Sequence, residues 1–156
     1  MWLLNVDGSF IGDPIRTGFG GVIWNFTSSY VTGFSGFISS PNDILFAELT
    51  ALHWGLTMAA SMDFAVLVCY SDSLHAVNLV NDDISHFHVS AVLIQDIKDL
   101  LNSRGYTLHH TLREGNQSAD FMAKLGASED DVLTVHSSPP EGLFRTDELG
   151  TLFIRN

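Results

Sequence analysis

Residues 64–70, Phe-Ala-Val-Leu-Val-Cys-Tyr, form a continuous apolar run of strand length, and this run limits the possible folds more than any other stretch. A strand with one wet face alternates polar and apolar residues, whereas a run without alternation needs cover on both faces, as helices give a parallel sheet. The preceding segment supplies one such helix. Leu45, Leu49, Leu52, Leu56 and Ala59 step by four and three residues, which is the buried stripe of a long helix starting near Ile44. Asn42 or Asp43 stands where its N-cap belongs.

Around this pair the elements alternate. Residues 1–7 read as a strand, and the glycine-rich stretch from Gly8 to Gly21 turns it back into a second strand at 21–24. Tyr30 to Ile38 alternates loosely and closes an antiparallel meander before Ser39-Ser40-Pro41-Asn42-Asp43 breaks the pattern. After Tyr70, a short helix from Leu74 to Val80, another from about Val89 to Ser103, a strand from Tyr106 to Leu112 and a helix from Gln117 to Gly126 are expected. This order predicts an α/β fold with a mixed five-stranded sheet, three strands antiparallel and two parallel, and helices on both faces. Right-handed crossovers put the first and fourth strands side by side. One domain is expected over residues 1–127, followed by a tail, 128–156, that is peripheral or partly disordered.

The composition excludes several classes. With 46% apolar residues the chain can bury a substantial core. Its single cysteine, Cys69, can form no intramolecular disulfide, so an intracellular setting is expected. No stretch approaches the roughly 18 apolar residues of a membrane span, and the start, Met1-Trp2-Leu3-Leu4, lacks the basic region and the length expected of a signal peptide. Eighteen acidic against seven basic residues give a formal charge of −11, the wrong sign for tight unaided binding to nucleic acid.

Four acids stand out. Asp7, Glu48, Asp72 and Asp120 fall at the ends of four separate predicted elements, inside N-V-D-G-S, A-E-L-T-A-L, Y-S-D-S and N-Q-S-A-D-F-M-A-K-L-G. Asp7 and Asp72 would lie at the carboxyl ends of neighbouring parallel strands, where open α/β sheets bind ligands. Glu48 flanks the buried stripe of its helix, and Asp120 sits in the first turn of the last helix. Carboxylates converging in this way hold divalent metal.

These motifs resemble those of ribonuclease H domains, and within that superfamily the plant-type domains at the end of non-LTR retrotransposon polyproteins. Asn5 to Ser9, Ala47 to Leu52, Ser71-Asp72-Ser73, and Arg113 to Asn116 with Ala119-Asp120 and Ala123-Lys124-Leu125 carry the resemblance over about residues 3–127. Ser138-Pro139-Pro140 and 147–150 are similar to the family's short tail. The resemblance implies a ribonuclease H-like fold and hydrolysis of the RNA strand of RNA/DNA hybrids. It implies two Mg²⁺ or Mn²⁺ ions on Asp7, Glu48, Asp72 and Asp120, clamping the scissile phosphate between them. His110, ten residues before Asp120, stands where bacterial-type ribonucleases H carry a proton-handling histidine. Gly8 and Ser9 would meet the ribose 2′-OH, and Ser73 and Asn116 the groove or backbone, although each also suits a turn or helix cap.

Two features depart from the family's pattern. Ile44-Leu45-Phe46 occupies a place that is polar in many relatives, and residues 81–99 hold Lys98 alone against four aspartates where some relatives have a basic protrusion. Substrate affinity is therefore expected from a tethered reverse transcriptase or another nucleic-acid-binding domain. The chain itself is expected to be a monomer excised from a retroelement polyprotein. A degenerate domain that binds a partner or hybrid without turnover is the alternative. An actin-like or sugar-kinase relative is a third reading, disfavoured by the chain's length. His86 and His88 beside Asp82 and Asp83 have loop spacing unsuited to a zinc cage. The aromatics Trp2, Phe19, Trp24, Phe26, Phe34 and Phe37 read as sheet packing.

Overall fold

The computed structural model describes residues 1–82, 88–146 and 152–154, with those beyond Leu143 described by their backbone alone. Strands β1 (Trp2–Ile11), β2 (Arg16–Asn25) and β3 (Tyr30–Ile38) form the antiparallel meander. Helix α1 (Ile44–Ser61) leads to β4 (Leu67–Ser71), then α2 (Leu74–Asn81), α3 (Ala91–Arg104) and β5 (Thr107–His110). A 3₁₀ turn, Arg113–Asn116, runs into α4 (Gln117–Ser128), and β6 (Thr134–His136), β7 (Phe144–Thr146) and β8 (Leu152–Ile154) follow.

The main sheet has the order β5-β4-β1-β2-β3-β6, with β4 parallel to both β1 and β5. It holds six strands, not five. β6 pairs antiparallel with β3 at Gly33 to Ser35, from within the stretch expected as a peripheral tail. Three residues are too few to display a periodicity. The strand is held instead by tertiary contacts: Tyr30 Oη donates to His136 O at 2.6 Å, and Ser35 Oγ lies 2.8 Å from His136 Nε2.

Helices lie on both faces of the sheet, but β4 is covered on one face only, contrary to the expectation from its unbroken apolar run. Leu67, Cys69 and Ser71 are buried, Val68 and Tyr70 are half-buried, and α4 packs on β1, β2 and β3 instead. Cys69 at the centre of β4 is fully buried, and burial pushes its thiol pKa up. On one face α1 packs with α2 and α3 over Leu4, Val6, Ile23 and Leu108. Asp43 caps α1, its Oδ1 accepting from Leu45 N at 2.9 Å. On the other face α4 lies directly on the backbone of β2, and at Gly20 even a methyl group would come within 2.6 Å of Met122. Phe19, Trp24 and Phe34 are core residues as expected, whereas Phe26 sits in the β2–β3 turn and is exposed. Among the described residues no helix is long and apolar enough to cross a membrane.

Candidate metal centre

β1 extends four residues past Asp7, so this acid is not at a strand end as its motif suggested. The reason is its two neighbours. Pairing with β2 continues to Ile11, whereas pairing with β4 stops at Val6 opposite Ser71. Asp7 is therefore the first residue of β1 beyond the parallel ladder, and Asp72 is the first residue after β4. The two carboxylates open onto the crevice that parallel sheets leave at their carboxyl ends.

Glu48 reaches the same place from α1, on that helix's buried face. Gly8 makes this approach possible. A Cβ there would stand 2.8 Å from Glu48 N and 2.9 Å from Ala47 Cβ, so any side chain would push α1 off the sheet. Asp7, Glu48 and Asp72 each offer an oxygen, and these atoms lie within 4.8 Å of one another. Asp7 and Glu48 are buried, at 4% and 6% exposure, and Asp72 is half-buried.

The electrostatics of such a cluster are unfavourable without a cation. Burial, reinforced by the charges of Glu48 and Asp72, holds the Asp7 carboxyl far above the usual carboxylate range. Burial and then Asp72 push Glu48 up in the same direction. Gly8 N donates to Asp7 Oδ1 at 2.9 Å, but Glu48 Oε2 is buried and finds no partner among the described residues. A buried acceptor without a donor costs about 1–3 kcal/mol. An oxygen-seeking divalent cation fits this donor set, because it would satisfy that atom and offset the mutual repulsion.

Asp120 is set apart from the other three. It lies in the first turn of α4, raises the Glu48 pKa by its charge, and pairs with Lys124 Nζ at 2.9 Å, outside the triad. The D-x-x-x-K spacing was a visible signal for that ion pair. His110 ends β5 opposite Ser71, one residue from Asp72 in register, and is exposed.

The four residues expected to meet substrate fall differently. Gly8 is the contact point of α1. Ser9 is buried, with its Oγ unpartnered among the described residues. Ser73 caps α2, its Oγ accepting from Ala76 N at 3.2 Å. Asn116 is 1% exposed and makes no side-chain cap bond; its Nδ2 donates to Val6 O at 2.9 Å and its Oδ1 accepts from Asn5 Nδ2 at 3.1 Å. It is a clip between the start of α4 and the strand of Asp7, with no surface left for a ligand. Such a clip gives no signal in sequence, since both partners are far away along the chain. Of the residues weighed for zinc, Asp83 and His86 lie outside the described residues, as do 147–150 of the tail motif, and His88 Nδ1 accepts from Ser90 N.

Comparison with known proteins agrees with this architecture. The family model described as reverse transcriptase-like matches residues 5–126. The fold is similar to the N-terminal RNase H domain of a Mycobacterium tuberculosis protein (TM-score 0.72, 21% identity, 81% of this chain and 93% of that one). It is also similar to LC11-RNase H1, solved in complex with an RNA/DNA hybrid (TM-score 0.72, 18% identity, 82% and 97%). Prototype Foamy Virus protease-reverse transcriptase matches 83% of this chain with 21% of its own length (TM-score 0.68, 18% identity). No protein of curated function matches the sequence. With most of its length under that family model and its strands in the ribonuclease H arrangement, the chain belongs to the reverse transcriptase-like family as a domain of the ribonuclease H fold.

Proposed function

We propose that this protein is an endoribonuclease that cuts the RNA strand of RNA/DNA hybrids, with Asp7, Glu48, Asp72 and Asp120 holding two Mg²⁺ or Mn²⁺ ions. The observation that carries the reading is the buried triad, with three carboxylate oxygens within 4.8 Å and Glu48 Oε2 left without a donor. Bound cations would supply positive charge at the scissile phosphate and lower the pKa of the attacking water. The chain's own part is to present oxygen ligands from β1, α1, the end of β4 and α4. Asp120 would join by releasing Lys124, and His110, exposed one residue from Asp72 in register, would take or give a proton. Ser9 Oγ, unpartnered near Asp7, and the backbone at Gly8 are the groups assigned to the ribose 2′-OH.

Residues 1–127 would form the catalytic unit. All four acids come from one chain, so a monomer suffices, and a free buried Cys69 suits an intracellular setting. Because the foamy-virus match is a fifth of a longer chain, a tethered reverse transcriptase in a retroelement polyprotein is the context assigned to it.

The test is cleavage of a fluorescent RNA/DNA duplex by the purified protein across Mg²⁺ and Mn²⁺ concentrations. Cutting of the RNA strand, with duplex DNA and free RNA intact, is expected. Asp72→Asn should abolish cutting while keeping the fold, and undiminished turnover in that variant removes the assignment. The Asp120–Lys124 pair, outside the triad, favours a second reading, a domain that binds hybrid without turnover. Tight hybrid binding with no product in excess Mn²⁺ would select it.

A further inference from the structure

Cations are scarce in this chain, and most are committed to its own acids and carbonyls. Lys124 is paired with Asp120, Arg104 with Asp63 at 2.6 Å, and Arg16 with Asp130 at 2.7 Å. Lys98 donates to Asp82 O at 2.6 Å. Among the basic residues whose side chains are described, Arg113 alone has neither an ion pair nor a hydrogen bond, and it is exposed. Its neighbour Glu114 is exposed too and makes no ion pair with it.

The mounting of Arg113 is the second observation. Thr111 N donates to Ser71 O at 2.9 Å, on the residue before Asp72. Asn116 Nδ2 donates to Val6 O at 2.9 Å, on the residue before Asp7. The segment between them is thus stapled at both ends to the strands that present two of the carboxylates, and Arg113 begins the 3₁₀ turn between the staples. Residues on either side of it in the chain, Thr111 and Gly115, line a cleft of about 210 Å³ together with Asn5 and Tyr70. A guanidinium carried by a segment tied to those strands, exposed and unpaired with any acid, is free to take an anion, and its planar fork matches phosphate oxygens.

We infer that Arg113 is a substrate-binding residue that grips a backbone phosphate of the nucleic acid strand crossing the carboxylate edge. Among the described residues it supplies the one lysine or arginine cation not already partnered in a chain of net charge −11. This rests on the ribonuclease reading, so the experiment separates the two. Hybrid binding is followed by fluorescence anisotropy in the full chain carrying Asp72→Asn to suppress turnover, with and without Arg113→Gln, between about 50 and 200 mM salt. Cleavage by the unsubstituted protein and by Arg113→Gln is measured in parallel. Loss of the guanidinium should weaken binding about tenfold and reduce the slope of log affinity against log salt by about 0.7–0.9, the signature of one phosphate contact. KM should rise with little change in kcat, and Arg113→Lys should restore the salt slope. Equal affinity and equal slope for Arg113→Gln, in a protein that cleaves hybrid, would overturn the assignment of Arg113 and leave the ribonuclease reading standing. Neither binding nor cleavage by the unsubstituted protein would overturn both.

Discussion

Asp7 is 4% exposed and faces two further carboxyls, so in the metal-free protein its proton stays on far above the ordinary carboxyl pKa. The folded state then binds more protons than the unfolded chain, whose carboxyls titrate near pH 4. With the folded pKa raised, the stability this group contributes is complete below about pH 4 and is lost as pH rises through neutrality. Glu48 acts in the same sense. Metal-free protein should therefore melt at a lower temperature at pH 8 than at pH 5, and Mn²⁺ should raise the melting temperature more at pH 8. His136 opposes this trend, since burial lowers its pKa and its contribution fades as pH falls. Asp7→Asn isolates the carboxyl. At pH 8 it should melt a few degrees above the parent, about 2–4 °C per kcal/mol for a chain of this size, and lose the Mn²⁺ response. Calorimetry showing an unchanged Mn²⁺ gain in Asp7→Asn would remove Asp7 from the ligand set.

The spacing of α1 from β1 decides whether Glu48 can join Asp7, and Gly8 sets that spacing. Gly8→Ala would clash with the backbone at Glu48 and force the helix outward, at a cost of about 1–3 kcal/mol of unfolding free energy measured by denaturant titration. The same shift should weaken Mn²⁺ binding by the folded variant, measured by isothermal titration; unchanged affinity would mean that Glu48 is not a ligand. The clip at Asn116 is the counterpart on the other face. Asn116→Ala leaves Val6 O and Asn5 Nδ2 without their partner, and a loss of about 1–3 kcal/mol is expected, with β1 hydrogen exchange faster around Asp7. A merely capping residue would loosen the first turn of α4 instead.

Across the molecule, the sheet order brings together groups that lie as far apart in sequence as Asp7 and Asn116, and it extends past α4 to β6. Removing residues 132–156 would uncover the β3 edge, would take the fully buried Leu143 away from Val22, Trp24 and Met122, and would delete the bonds from Tyr30 and Ser35 to His136. Thermal melting should then occur several degrees lower, while Mn²⁺ binding at the distant triad persists. Loss of metal binding in that truncated protein would show that the β6 edge and the triad are not independent.

Local chemistry was enough to read the helical stripe of α1, the motifs around the acids and hence the family. Those patterns recur within a few residues, because a 3.6-residue apolar periodicity reports which helix face must leave water. The two-sided burial expected of β4 failed, because α4 packs on β1, β2 and β3 and leaves Val68 and Tyr70 half-buried. The five-strand expectation failed at β6, whose three residues are held by side chains 101–106 positions away. Asn116 as a clip, Gly8 as the contact point of α1, and the division of the acids into a buried triad and a lysine-paired Asp120 were equally out of reach. Each depends on a distance between elements, and such distances exist only after the sheet has formed and the helices have packed on it.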